Sequence, residues 1–149
     1  MKRVIVLDTT PLGLVANPNL TPRTIAASSW FERLLASGDT VIIPEIADYE
    51  VRRELIQSGA TASVRHLDRL HDRAFYLPLT TAAMRKAAEL WATVRQQGHT
   101  TADPHALDGD VILAAQASFL GDPDLPVVIA TGNVKHLILF GDARLWQDV

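Results

Sequence analysis

Cysteine is absent from the 149 residues. Disulfides and thiolate metal sites are therefore excluded, and the chain fits a reducing compartment, with the cytoplasm as the expectation. Apolar runs long enough to cross a membrane, about 20 residues, are also missing. The opening MKRVIVLD turns acidic after one short apolar run. It lacks the long apolar region and small-residue cleavage site of a signal peptide. A strong charge of one sign is missing too: the formal net charge is −3, so charge alone does not indicate a nucleic-acid binder. Such a balance can still hide segregated acidic and basic faces. There is no internal repeat, low-complexity segment or linker. What remains is 48% hydrophobic and 21% charged, the balance of a compact globule, and residues 1–149 are expected to form one domain.

Read along the chain, short apolar runs alternate with segments of helical spacing. Strands are predicted at 3–7, 40–43, 74–79 and 126–130, with a short edge strand at 145–146. Helices are predicted at 24–36, 45–58, 61–73, 80–97 and 110–120, whereas 9–19, with its two prolines and a glycine, reads as loop. This alternation predicts a three-layer α/β/α sandwich around a mainly parallel sheet.

In such sheets ligands bind beyond the carboxyl ends of the strands. Asp8 ends the first strand, Asn133 follows the fourth, Glu50 lies in the helix after the second, and Asp108 and Asp110 stand at the entrance of an apolar helix. One of that last pair is expected to cap the helix. Gathered acids repel and raise one another's pKa unless a positive charge sits among them. With no thiolate available, the natural occupant is a hard cation with oxygen ligands, Mg²⁺ or Mn²⁺. Such ions activate water and stabilise charge on a phosphodiester undergoing hydrolysis.

Four stretches, in order, resemble the PIN-domain family, and most closely its VapC-type ribonuclease toxins of type II toxin–antitoxin pairs. They are VIVLDTTPL with Asp8, IIPEIADYEVRREL with Glu50, ALDGDVILAAQA with Asp110 and the additional Asp108, and VVIATGNVKHL with Thr131 and Asn133. The resemblance covers nearly the whole chain. It implies a PIN-like fold and a metal-dependent endoribonuclease. Asp8, Glu50 and Asp110 would be the catalytic and metal-binding acids, and Asp108 a further ligand. It also implies a homodimer and a small antitoxin partner over the acidic pocket, which would welcome an inserted Arg or Lys. Two departures stand out. Thr10 occupies a place where many such toxins have Asn, and Asn133 replaces an Asp.

Each residue also has a plainer reading. Asp8 could end a strand in a turn, Glu50 could be a solvated helix residue with Glu45, Asp48 and Glu54 as rivals, and Asn133 and Thr131 could be turn residues. Lys135 and His136, at the strand-end rim, are the better candidates for phosphate contact. The stripe Arg65, Arg69 and Arg73 reads as a solvated face balanced by Asp68 and Asp72. Arg52 and Arg53 directly follow the essential-acid position. His66, His71, His99 and His105 show no metal-ligand spacing. Trp30, Trp91 and Trp146 read as packing, and Met84, Ala87, Ala88 and Trp91 as a core or subunit face. No glycine-rich nucleotide loop follows the first strand. The rival to a nuclease is a catalytically silent PIN-like module that binds RNA or protein.

Overall fold

The computed structural model describes residues 2–98 and 104–149. The strands β1 (Val4–Leu7), β2 (Thr40–Pro44), β3 (Phe75–Leu77), β4 (Val127–Thr131) and β5 (Ala143–Leu145) form one sheet in the order β3-β2-β1-β4-β5. All of its pairings are parallel. The helices are α1 (Thr9–Ala16), α2 (Pro22–Ser37), α3 (Glu45–Gln57), α4 (Thr61–Leu70), α5 (Thr81–Gln96) and α6 (Pro104–Ser118). Right-handed crossovers place α1 to α4 on one face and α5 and α6 on the other. The expected three-layer sandwich is present.

The central strand explains the order of the sheet. Val4, Ile5, Val6 and Leu7 are all buried, as an apolar run flanked by helices on both faces must be. On the α1–α4 side they meet Leu12, Phe31, Leu34 and Leu67; a second apolar cluster joins Ala87 and Val94 of α5 to Leu107, Val111 and Ala115 of α6. Arg3 fastens the start of β1 to β2. Its N–H and its guanidinium donate to Asp39 Oδ1 and Oδ2, each at 2.9 Å.

Two elements depart from the sequence reading. Residues 9–19 are not a loop throughout, because Thr9–Ala16 is helical. Pro11 falls in its first turn, where a missing N–H costs nothing, and Gly13 faces α3, where an added Cβ would make an ordinary contact of 3.8 Å with Val51 Cγ2. The last long helix starts at Pro104, not at residue 110. Proline suits a first helical position, and Gly109 is accommodated inside the helix. Asp108 and Asp110 therefore lie inside α6, and neither is its cap. Smaller differences are at element ends: α2 begins at Pro22 behind a Thr21–Thr24 capping box, and α4 stops at Leu70.

Ile5 is fully buried in the middle strand. Ile5→Ala should lower the unfolding free energy by about 2–5 kcal/mol, read as a lower urea midpoint with an unchanged slope.

Candidate active site

Parallel strands present their carboxyl ends on one rim, and Asp8 stands there. Its N–H still pairs with the Ala130 carbonyl at 2.9 Å, continuing the β1–β4 ladder by one step. Its Oδ1 accepts the Thr9 N–H at 2.8 Å and caps α1. Its Oδ2 accepts the hydroxyl of Thr131 at 2.7 Å. Thr131 is buried, and its oxygen also accepts the Asn133 N–H at 3.1 Å. Asp8 is thus the cap of α1, and its carboxylate keeps lone pairs for a further partner.

Glu50 reaches the same rim from α3. Thr9 donates its hydroxyl to Glu50 Oε1 at 3.4 Å, and Arg53 Nη2 stands 3.8 Å from Oε2. Against it lies Gly109 of α6, where an added Cβ would sit 2.9 Å from Oε2, 3.0 Å from Oε1 and 3.2 Å from Cδ. A glycine inside a helix costs about 1 kcal/mol relative to alanine. Here it gives the Glu50 carboxylate room against the helix backbone. Gly132 plays the same part at the β4 exit, since an added Cβ would overlap the Thr10 side chain at 2.7–2.8 Å.

Asp110 completes the group. Burial, and then the charges of Asp8 and Glu50, push its carboxyl up to about 7. Glu50 is also raised, by burial and then by Asp8, against the opposing Arg53 and the Thr9 hydroxyl. The three carboxylates therefore share one electrostatic field. Asp108, two residues before Asp110, is turned about 200° around the helix. It is exposed and lines a groove of 380 Å³ with Met84, Ala87, Trp91 and Val111.

The remaining candidates separate clearly. Asn133 Oδ1 accepts the Lys135 N–H at 3.0 Å, a local turn, and no described bond links its side chain to the acids. The side chains of Lys135 and His136 make no hydrogen bond or ion pair among the described residues. The rivals of Glu50 have structural duties. Glu45 accepts the Tyr76 hydroxyl and the Leu79 N–H, both at 2.7 Å. Asp48 is buried; burial alone would raise its pKa, but hydrogen bonds from Arg52 (2.9 Å) and His71 (2.7 Å) hold it below the usual range. Arg52 also reaches Asp68 at 2.8 Å. Arg73 pairs with Glu32 at 2.6 Å, so the arginine stripe is not balanced by Asp68 and Asp72 as expected. Trp30 and Trp146 pack edge to face with ring centres 5.5 Å apart. His99 and the side chain of His105 lie outside the described residues. Thr9, Gly109 and Gly132 were missed in the sequence, because their roles come from contacts between elements.

No group of three or more His, Asp or Glu side chains among the described residues stands in position to enclose an ion. The donor chemistry nevertheless fits a hard divalent cation: the set is all oxygen, partly buried, and repulsive without a positive charge.

No protein-family model and no curated protein matches the chain. Solved structures do. A chain in the structure of VapBC2 from Rickettsia felis bound to a DNA fragment from their promoter aligns at TM-score 0.72 and 17% identity, over 96% of this chain and 98% of that one. FitAcB from Neisseria gonorrhoeae aligns at 0.67 and 19%, over 97% and 99%. VapBC-1 from nontypeable Haemophilus influenzae aligns at 0.61 and 21%, over 96% and 98%. At these identities the likeness shows the fold, the one that the PIN-domain resemblance implied.

The raised pKa of Asp110 has a definite sign. At pH above about 7 the group is ionised in both folded and unfolded chains, and burial and repulsion weaken the fold. As the pH falls from there toward the ordinary 3.8, the folded chain takes up a proton that the unfolded chain does not, and the penalty lifts. In chelator, Asp110→Asn should therefore be more stable than wild type at pH near 8, the difference shrinking toward pH 5 (both on the order of the window set by this shift). Urea unfolding across that range checks it.

Proposed function

We propose that this chain is a metal-dependent endoribonuclease that hydrolyses RNA phosphodiester bonds, acting as the toxin of a toxin–antitoxin pair. The observation that carries the reading is the meeting of Asp8, Glu50 and Asp110 at the carboxyl rim of a parallel sheet, where burial and the neighbouring charges disfavour the ionisation of Glu50 and Asp110. The family resemblance of the four sequence stretches and the shared fold support it.

Asp8 and Asp110 would hold Mg²⁺ or Mn²⁺ directly, with Glu50 binding through water or orienting the attacking water. A bound divalent ion would neutralise the acids, lower the pKa of water and offset charge on the phosphodiester. The chain's own contribution is positioning. Thr9 and Thr131 fix the two oxygens of Asp8, so that carboxylate needs little reorganisation. Glu50, whose pKa burial and the Asp8 charge raise, takes up a proton more readily than a free carboxylate, which suits general acid–base work. Asp108, on the groove side, would act through water or when substrate is present. Lys135 and His136 would contact substrate phosphates, with Thr131 and Asn133 as supporting groups.

No helix among the described residues is long and apolar enough to cross a membrane. We place the protein in the cytoplasm as a homodimer whose acidic pocket is covered by an antitoxin segment bearing Arg or Lys. Three of the similar structures are described as VapBC complexes.

Cleavage of single-stranded RNA with Mn²⁺, and its loss in EDTA, tests the reading. Asp8→Asn and Asp110→Ala should abolish cleavage without unfolding the chain. Asp108→Ala should retain activity with metal affinity weakened about tenfold. A wild-type chain that binds RNA without cutting it would be the silent module instead.

A further inference from the structure

The two arginines after the essential-acid position have different fates. Arg52 is fixed by Asp48 and Asp68. Arg53 is about half exposed, and its contact with Glu50 is long, at 3.8 Å. A pair so open to solvent holds its partners weakly. The Arg53 guanidinium also stands over the ring of Tyr49, 5.2 Å from its centre. Four residues apart, the two side chains are neighbours on the surface of α3.

Tyr49 is unlike the other tyrosine. Tyr76 gives its hydroxyl to Glu45 and stacks on His71. Tyr49 is 55% exposed, and its hydroxyl makes no hydrogen bond among the described residues. Its ring borders a cavity of 540 Å³ whose other walls include Leu79, Met84 and Ile112. Met84 and Ile112 also wall the 380 Å³ groove that Asp108 lines. Neither space is lined by Asp8, Glu50 or Asp110; the exposed aromatic face is joined to the acidic rim through the contact of Arg53 with Glu50.

We propose that Tyr49 and Arg53 form a nucleotide-binding element for single-stranded RNA, Tyr49 stacking a base on its exposed ring and Arg53 holding a neighbouring phosphate. The proposal rests on the nuclease reading above. Single strands are bound by this pairing of features: every base has a π-face, and every linkage carries a negative charge. Arginine's planar fork suits a phosphate oxygen pair and remains beside the ring. On a chain of net charge −3, a local cation next to Glu50 is what would let an anionic strand approach the acids.

Anisotropy of a short fluorescein-labelled single-stranded RNA, titrated with the full chain in EDTA, tests the element apart from catalysis. Tyr49→Ala should weaken binding about tenfold, while Tyr49→Phe stays near wild type. Arg53→Ala should weaken binding and reduce the slope of log affinity against log salt by about 0.7, with Arg53→Lys keeping the slope. In Mn²⁺-dependent cleavage Tyr49→Ala should raise KM and leave kcat nearly unchanged. If the wild type cleaves RNA and both alanine variants bind it as tightly as wild type, this proposal alone falls. They would then mark a surface for another partner, such as a protein. If the wild type cleaves no RNA, the nuclease reading falls and this proposal with it.

Discussion

The pairing of β1 with β4 is the constraint on which the rest depends. It runs in parallel register from Val4 with Val127 to Leu7 with Ala130, and the Asp8 N–H extends it by one bond. Because the strands point the same way, Asp8 and Thr131 leave the sheet side by side. Their hydrogen bond, at 2.7 Å, is the chemical result of that register. A slip of one residue would turn the Asp8 and Thr131 side chains to opposite faces and bury a charge.

Around this fixed carboxylate the other elements supply charge at close range. The fold accepts the repulsion because three local features make room for it. Gly109 lets Glu50 lie against α6, Thr9 binds both Asp8 and Glu50, and Arg53 offers a partial counter-charge. Nearby acids of the same helix are treated in the opposite way. Asp48 is held by Arg52 and His71 and Glu45 has two donors, so both are satisfied within the protein. The contrast between satisfied and unsatisfied carboxylates on one helix is the physical mark of the site. It is a general property of functional sites that charge is left uncompensated there.

Much of this was legible in the sequence, for identifiable reasons. Apolar runs such as VIVL and VVIAT read as buried strands because parallel sheets need apolar residues on both faces. Asp8 and Glu50 stood out through their places after strands. The helical state of Thr9–Ala16 was hidden by Pro11 and Gly13, although Pro11 sits in the first turn, where its missing N–H costs nothing. The role of Gly109, to admit a carboxylate from another helix, depends on a contact that spacing does not show. The distinct fates of Arg52 and Arg53, or of Glu45, Asp48 and Glu50, depend in part on partners from other elements, Asp68, Tyr76, His71 and Gly109, which spacing does not show.

The central claim is that Asp8, Glu50 and Asp110 form one coupled site for a divalent cation. Titration calorimetry of Mn²⁺ in buffers of different ionisation enthalpy tests it most directly, because a cation must displace the proton that Asp110 retains below about 7. The account predicts saturable binding with proton release on the acid side of that value, fading on the alkaline side and absent in Asp110→Asn. Saturable binding with no proton release at any pH, or no binding at all, would contradict it.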